Sequence, residues 1–270
     1  MSDESTHQLD KPARRRGLRR TILLVAGVTA AVAGLVVGGV ADSASTPRHG
    51  DSIPNVTVVE NQIKAYYGDT VVGTEHLPSP DGNYAHEVEG IAADAQHFLA
   101  HRHAKGGAPA VVFDVDDTTL NTFNYEIFSS FAFNPTTNAQ FVTDERFPAV
   151  FGMPDLVNWA GSHGYTVFFI TGRPEAQRDA TAGNLAKVGY TVPTDVDHLY
   201  LKFPAGSPPP YLHCAAVTTC TTIEYKSGTR AHIESLGFDI VADFGDQFSD
   251  LEGGFTDHTF KIPNPMYFLP

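Results

Sequence analysis

The sequence predicts an α/β protein whose parallel sheet is covered by helices on both faces. Three observations point to that class. Short apolar runs alternate with stretches of helical periodicity along most of the chain. The runs, such as Val167-Phe168-Phe169-Ile170, have the length of buried strands. The acids and hydroxyls suited to chemistry fall at the ends of these runs or in the turns after them, where open α/β sheets place their sites.

The N-terminus is set apart by composition. Residues 1–20 hold six bases against three acids, and residues 21–40 carry no charge and are apolar almost throughout. Twenty helical residues extend about 30 Å, enough to cross a bilayer. With the bases all before the apolar run, the positive-inside rule leaves residues 1–20 in the cytoplasm and the remainder outside. Arg19-Arg20 followed by Thr21-Ile22-Leu23-Leu24 also resembles a twin-arginine export signal, and small residues around Gly39, Ala41 and Ser43 suit a signal peptidase. Residues 21–40 are therefore a cleaved signal or a retained membrane anchor. No cysteine follows the run, which argues against a lipoprotein. Residues 41–54, rich in Ser, Thr, Asp and Gly, read as a flexible stalk leading to a domain over 55–270.

That body is acidic. Taking six of the 18 bases and three of the 31 acids away with the N-terminus leaves 12 against 28, a net charge of −16. Such a surface repels a nucleic-acid backbone, and no basic stripe with interleaved aromatics offsets it.

Helical patterns are expected over 55–67 and 83–103, the second with Ile91, Ala95, Phe98 and Leu99 on one face. His97, His101 and His103 flank that face without partner acids at ligand spacing and read as solvated. Strands are expected over 110–114, 166–171, 198–202, 239–244 and 259–262. Helices over 154–162, 174–188 and 223–236 separate several of them. Cys214 and Cys220 complete the cysteine inventory. Their short spacing and extracytoplasmic side favour a disulfide, with zinc held together with His213, or two free thiols, as the alternatives.

The densest chemistry lies in Val111-Val112-Phe113-Asp114-Val115-Asp116-Asp117-Thr118-Thr119, where an apolar strand delivers clustered acids into a turn. Carboxylates crowded together repel unless a cation neutralises them, which suggests a divalent metal. A calcium loop of EF-hand type is excluded by Thr119 at the glycine position and Tyr125 at the closing glutamate position. A carboxylate that attacks a phosphate monoester must approach like charge, so cations have to screen it. Asp114 is the candidate nucleophile and Asp116 the candidate general acid. Asp246 and Asp250 are candidates to complete a metal site, for which magnesium suits an all-oxygen set, and Lys226 supplies a further positive charge. Thr171 offers a hydroxyl to a phosphate oxygen, and the Gly172 amide adds a donor where a helix is expected to begin.

Taken in this order, the residues resemble those of the haloacid-dehalogenase-like phosphohydrolases. Asp114-Val115-Asp116-Asp117-Thr118 matches the DxDxT motif, Thr171 the strand-end hydroxyl, Lys226 the lysine and Gly245-Asp246…Asp250 the final acidic pair. The chain is most similar to the class B and plant-type acid phosphatases, through Thr171-Gly172-Arg173-Pro174-Glu175, Tyr225-Lys226-Ser227, Gly245-Asp246-Gln247-Phe248-Ser249-Asp250-Leu251 and Pro263-Asn264-Pro265-Met266-Tyr267. The resemblance implies a three-layer Rossmann-like fold and magnesium-dependent hydrolysis of small phosphomonoesters. It implies metal ligation by Asp114, the Asp116 backbone carbonyl and Asp246, with Asp250 supporting. Asp117 departs from the glutamate usual there in plant-type members. Residues 119–165 leave room for a small cap, with Phe123, Tyr125 and Phe128 where relatives place aromatics near substrate. Two other readings remain open at this level: transfer of the phosphoryl group to an alcohol, and a non-catalytic extracytoplasmic binding or storage protein. Some plant relatives of the latter kind lack the nucleophile, which Asp114 retains here.

Overall fold

The computed structural model describes residues 53–204, 206–216 and 220–270. The signal or anchor expected over 21–40, the basic stretch before it and most of the stalk lie outside the described residues. Among the described residues, no helix is long and apolar enough to cross a membrane.

The chain opens with α1 (Val56–Tyr67). Asn55 caps it by accepting the Thr57 N–H, and Gly68 ends it in the left-handed region at φ 65°. A hairpin of β1 (Thr70–Val72) and β2 (Glu75–Leu77) follows, then α2 (Asn83–Ala100). Next come β3 (Ala108–Phe113), α3 (Phe123–Phe128), α4 (Pro135–Thr143), α5 (Met153–Ser162) and β4 (Thr166–Pro174). The remainder is α6 (Arg178–Lys187), β5 (Leu199–Lys202), α7 (Thr222–Ser235), β6 (Phe238–Gly245), α8 (Phe248–Leu251) and β7 (Thr259–Lys261).

Five strands form one parallel sheet in the order β5-β4-β3-β6-β7. Alternate residues serve two cores. Val111 and Phe113 of β3 and Val167 and Phe169 of β4 pack with Val88 and Leu99 of α2, Leu156 and Val157 of α5 and Leu185 of α6. Ala110, Val112, Phe168 and Ile170 pack on the other side against Tyr225 and Ile233 of α7 with Leu212 and Cys220. The sheet is thus buried on both faces, and each large apolar side chain removed from water contributes about 1.5–3 kcal/mol. Phe113, Phe244 and Phe260 stack across β3, β6 and β7 with centroids 4.3 and 4.8 Å apart, a ladder that ties the end of β3, before Asp114, to the end of β6, before Asp246.

The structure extends or trims several expected elements. The hairpin of β1 and β2 was not visible in the sequence; Val71 and Val72 on it are exposed, so it shows no alternation of apolar and polar residues. The helix expected over 174–188 begins only at Arg178. Instead, β4 continues to Pro174, with its register to β5 shifting between Ile170 and Pro174, and a short 3-10 turn follows. Of the stretch 119–165, α5 packs against α2 and β4 in the layer on the sheet, while α3 lies ahead of it against β2. Phe123 and Tyr125 are buried, Phe123 stacking on Tyr67 at 4.5 Å, whereas Phe128 is exposed.

Cys214 and Cys220 form a disulfide with Cα atoms 5.2 Å apart. It closes just before α7, whose first turn is fixed by a capping box between Thr221 and Glu224.

Candidate active site

At the end of β3 the Asp114 N–H donates to the Phe244 carbonyl at 2.9 Å, tying the strand end to β6. The chain then turns sharply. Asp117 sits in the left-handed region at φ 52°, and Thr119 and Leu120 both donate N–H groups to the Val115 carbonyl. The Asp117 carboxylate is buried and accepts from the Thr122 N–H at 2.9 Å, from the Thr122 hydroxyl, and from the Tyr267 hydroxyl at 2.8 Å. This brings the C-terminal segment down on the DxDxT turn. Burial pushes the Asp117 carboxyl up to about 7, with the Thr122 hydrogen bonds opposing the shift.

The end of β6 supplies the second pair of acids. Asp250 reaches back from α8 to accept the Gln247 N–H at 2.9 Å. The turn is so tight that a Cβ on Gly245 would lie 2.4 Å from the Asp250 Cβ, which reserves the position for glycine. Asp246 accepts from the Asn264 amide at 2.7 Å and the Gln247 amide at 2.6 Å. Burial first, then Asp250 and Asp117, push its carboxyl up to about 8, although those two amides pull the other way. Beneath α8, the fully buried Arg230 pairs with Asp243 at 2.8 Å and donates to the Asp250 and Gly254 carbonyls.

Lys226, one turn into α7, is only 3% exposed and bridges the two pairs. Its ammonium contacts Asp114 and lies 2.8 Å from Asp250. Burial alone would lower its pKa, but Asp114 and then Asp250 outweigh burial and keep the group protonated well above its ordinary range. Oxygens of Asp114, Asp246 and Asp250 lie within 4.8 Å of one another, all three residues buried. Once all three carboxylates are ionised, one ammonium leaves two negative charges uncompensated. An all-oxygen set with that excess fits a divalent cation.

Asp116 stands apart from this cluster. Its carboxylate is half-buried and gripped by Arg173, with Nη2–Oδ1 at 2.6 Å and Nε–Oδ2 at 3.1 Å. Arg173 also donates to the Thr181 hydroxyl at 3.1 Å and lies over the Phe147 ring. The role of Arg173 was missed in the sequence, although it stands in the phrase that carries Thr171 and Gly172. The extension of β4 is what aims it at Asp116. Thr171 is buried at the carboxyl end of β4, its hydroxyl accepting the Arg173 N–H at 3.2 Å. Gly172 is exposed, with nothing within 4 Å of where a Cβ would stand. Because α6 starts six residues beyond it, the Gly172 amide is not the helix N-terminus expected from the sequence. Among the described residues, neither is hydrogen-bonded to the carboxylate cluster.

Comparison with known proteins agrees with this geometry. The chain matches the family described as HAD superfamily, subfamily IIIB (acid phosphatase) over residues 33–270. It is 31% identical to the stem 28 kDa glycoprotein of Glycine max over 163 residues, which is 58% of this chain and 59% of that protein, so the chain spans well under two thirds of that relative. It is 30% identical to acid phosphatase 1 of Solanum lycopersicum over 205 residues, 72% of each chain. The class C acid phosphatase from Bacillus anthracis superposes with a TM-score of 0.56 at 20% identity, covering 79% of this chain and 87% of that one, a likeness of fold. The parallel sheet, the strand-end acids and the family match over nearly the whole body meet in one conclusion: this chain belongs to the acid phosphatase subfamily IIIB of the HAD superfamily.

Proposed function

We propose that the chain is an exported phosphatase that hydrolyses small phosphomonoesters through an aspartyl-phosphate on Asp114. The observation that carries this reading is the pairing of Asp114 with Lys226 inside the acidic cluster, while Asp116, two residues on, is held separately by Arg173. One carboxylate is thus buried beside positive charge and the other is partly open to solvent, as nucleophile and proton carrier require.

In the first step an Asp114 oxygen attacks phosphorus. The bond to the leaving oxygen breaks, and the proton of Asp116 passes to the departing alkoxide. In the second step Asp116 takes a proton from water, whose oxygen attacks phosphorus and releases Asp114 and inorganic phosphate. Lys226 offsets the charge of Asp114 and of the phosphoryl group throughout, and Thr171 and the Gly172 amide serve as donors to phosphate oxygens. Arg173 positions Asp116. Asp114, the Asp116 carbonyl and Asp246, with Asp250 in support, would hold magnesium. When bound, it supplies positive charge that screens nucleophile from phosphate and favours the charge-rich transition state.

The Cys214–Cys220 disulfide and the basic-then-apolar N-terminus support an extracytoplasmic location, with residues 21–40 as a cleaved signal or a retained anchor behind the basic residues 1–20. The deciding experiment is a phosphate-release screen over a panel of phosphomonoesters, with magnesium or chelator and with or without glycerol. Metal-dependent release supports the reading. Glycerol phosphate in place of free phosphate would make the chain a phosphotransferase, and no turnover of any ester would leave a non-catalytic protein of the same fold.

A further inference from the structure

Lys226 and Arg230 stand four residues apart on α7, so they share one face of the helix, and both are buried. Lys226 reaches the Asp250 carboxylate at 2.8 Å. Arg230 reaches the same residue from behind, donating through Nη1 to the Asp250 carbonyl. Its other donors continue along the chain, Nη2 to the Glu252 carbonyl and Nε to the Gly254 carbonyl at 2.9 Å. Nη1 also pairs with Asp243 of β6 at 2.8 Å. The guanidinium is thus occupied by one loop and the strand that leads into it.

That loop needs outside support. The helix α8 has only four residues, and a single helical turn is unstable alone. Its last carbonyls find no partner within the helix, and Arg230 takes those of Asp250 and Glu252. Beyond them Gly253, Gly254 and Phe255 all lie in the left-handed region, at φ 89°, 81° and 62°. For Phe255 that conformation is unfavourable and persists only where the surrounding fold imposes it. A Cβ on Gly253 would lie 2.5 Å from the Ser227 Cβ, so the loop presses directly on α7.

We propose that Arg230 is a positioning residue for the acidic cluster. By holding the backbone from Asp250 to Gly254, it sets where the Asp250 carboxylate stands relative to Lys226, Asp114 and Asp246. The hold extends to Asp246, because Asp250 accepts the Gln247 N–H at 2.9 Å and the Gln247 amide donates to Asp246 at 2.6 Å. With no exposed surface, Arg230 itself cannot meet substrate. A lysine there would keep a charge beside Asp243 but, as a point charge, could not span three carbonyls along the loop. The metal arm of the test rests on the reading that these acids hold a divalent cation.

The test compares the full chain with Arg230→Lys and with the double variant Arg230→Met/Asp243→Leu, which removes the buried pair in balance. Calorimetric titration with magnesium is expected to show affinity lower by about tenfold to a hundredfold in both, the usual effect of losing support behind a metal ligand. The ester KM at saturating magnesium is expected to stay at its wild-type value. A merely structural residue would lower the melting temperature and leave magnesium affinity alone. Hydrogen exchange supplies a reading without metal. The Gln247, Asp250 and Glu252 amides are each hydrogen-bonded within the loop. In the metal-free wild-type chain they are expected to exchange as slowly as those of β6, and in folded Arg230→Lys at least about tenfold faster. Wild-type magnesium affinity in a folded variant, or fast exchange of those amides in the wild-type chain, would overturn the inference. If neither variant folds, the wild-type exchange rates decide it. A wild-type chain that binds no magnesium would instead remove the metal reading, and the exchange rates would still decide the role of Arg230.

Discussion

Arg173 holds Asp116 by two points at once, Nη2 on Oδ1 at 2.6 Å and Nε on Oδ2 at 3.1 Å, across the adjoining ends of β4 and β3. Such a fork fixes both the position and the plane of the carboxylate, which a single point charge cannot do. Arg173→Lys is therefore expected to behave like a loss. Turnover of alkyl phosphates, which need a well-placed proton, should fall by about tenfold to a hundredfold, and aryl phosphates should suffer less. Full activity in Arg173→Lys toward alkyl esters would remove the positioning role.

Asp114→Asn retains shape and hydrogen bonding but cannot attack phosphorus. Steady-state turnover should drop by at least about a thousandfold with an unchanged thermal melt. Asp116→Asn should instead discriminate between substrates, hurting alkyl esters more than aryl ones. Phosphate trapped on a residue other than Asp114 would refute the assignment.

Lys226 and Asp246 lie on opposite sides of one charge balance, so their variants should answer differently to metal. Asp246→Asn is expected to raise the magnesium concentration for half-maximal activity and to be partly rescued by excess. Lys226→Ala removes a cation directed at the nucleophile and should cost about 3 kcal/mol, or roughly a hundredfold in rate, even at saturating metal. Titrating magnesium against initial rate for both variants separates them. Complete rescue of Lys226→Ala by metal would leave the lysine with no catalytic part.

The disulfide gives a stability prediction. By the chain-entropy relation a short closed loop is worth about 2 kcal/mol, which in a domain of this size corresponds to about 4–8 °C in Tm. Replacing Cys214 and Cys220 together by serine should lower Tm by that amount. Peptide mapping of unreduced protein should recover the two cysteines linked.

Glu126, on α3, is buried, and desolvation, with Asp116 adding to it, pushes its carboxyl up to about 7. An unfolded glutamate titrates near about 4.3. The folded state therefore binds the proton more tightly, and stability falls as pH rises between those values, reaching its full penalty above 7. Glu126→Gln should raise Tm at pH 8 and leave it unchanged at pH 4. Equal shifts at both pH values would show that the side chain's charge is not what costs stability.

The strand-end acids could be read from sequence because their signal is local: Asp114 and Asp246 each close an apolar run, and periodicity locates such runs. Lys226 could be joined to the site from sequence only as the positive charge that the acids call for, since a lysine in a helix is ordinarily solvated, and its burial beside Asp114 and Asp250 is a matter of tertiary packing. Arg230, charged and in the same helix, gave no signal at all and proved fully buried under α8. Asn264 and Tyr267 stood in a recognised phrase, yet their partners Asp246 and Asp117 are 18 and 150 residues away, distances that no periodicity spans. The late start of α6 was hidden because Pro174 commonly opens a helix, while here it ends an extended segment that delivers Arg173.

The lysine that bridges Asp114 and Asp250 also sets an order of events. A pocket of bare carboxylates would resist closing until a metal arrived, making the ion a folding partner. With an ammonium already seated between two of the acids, the polypeptide can close on its own and be loaded afterwards. Closure of the fold and binding of a cation are then separate events: the chain carries its own counter-charge, and folding does not wait for an ion.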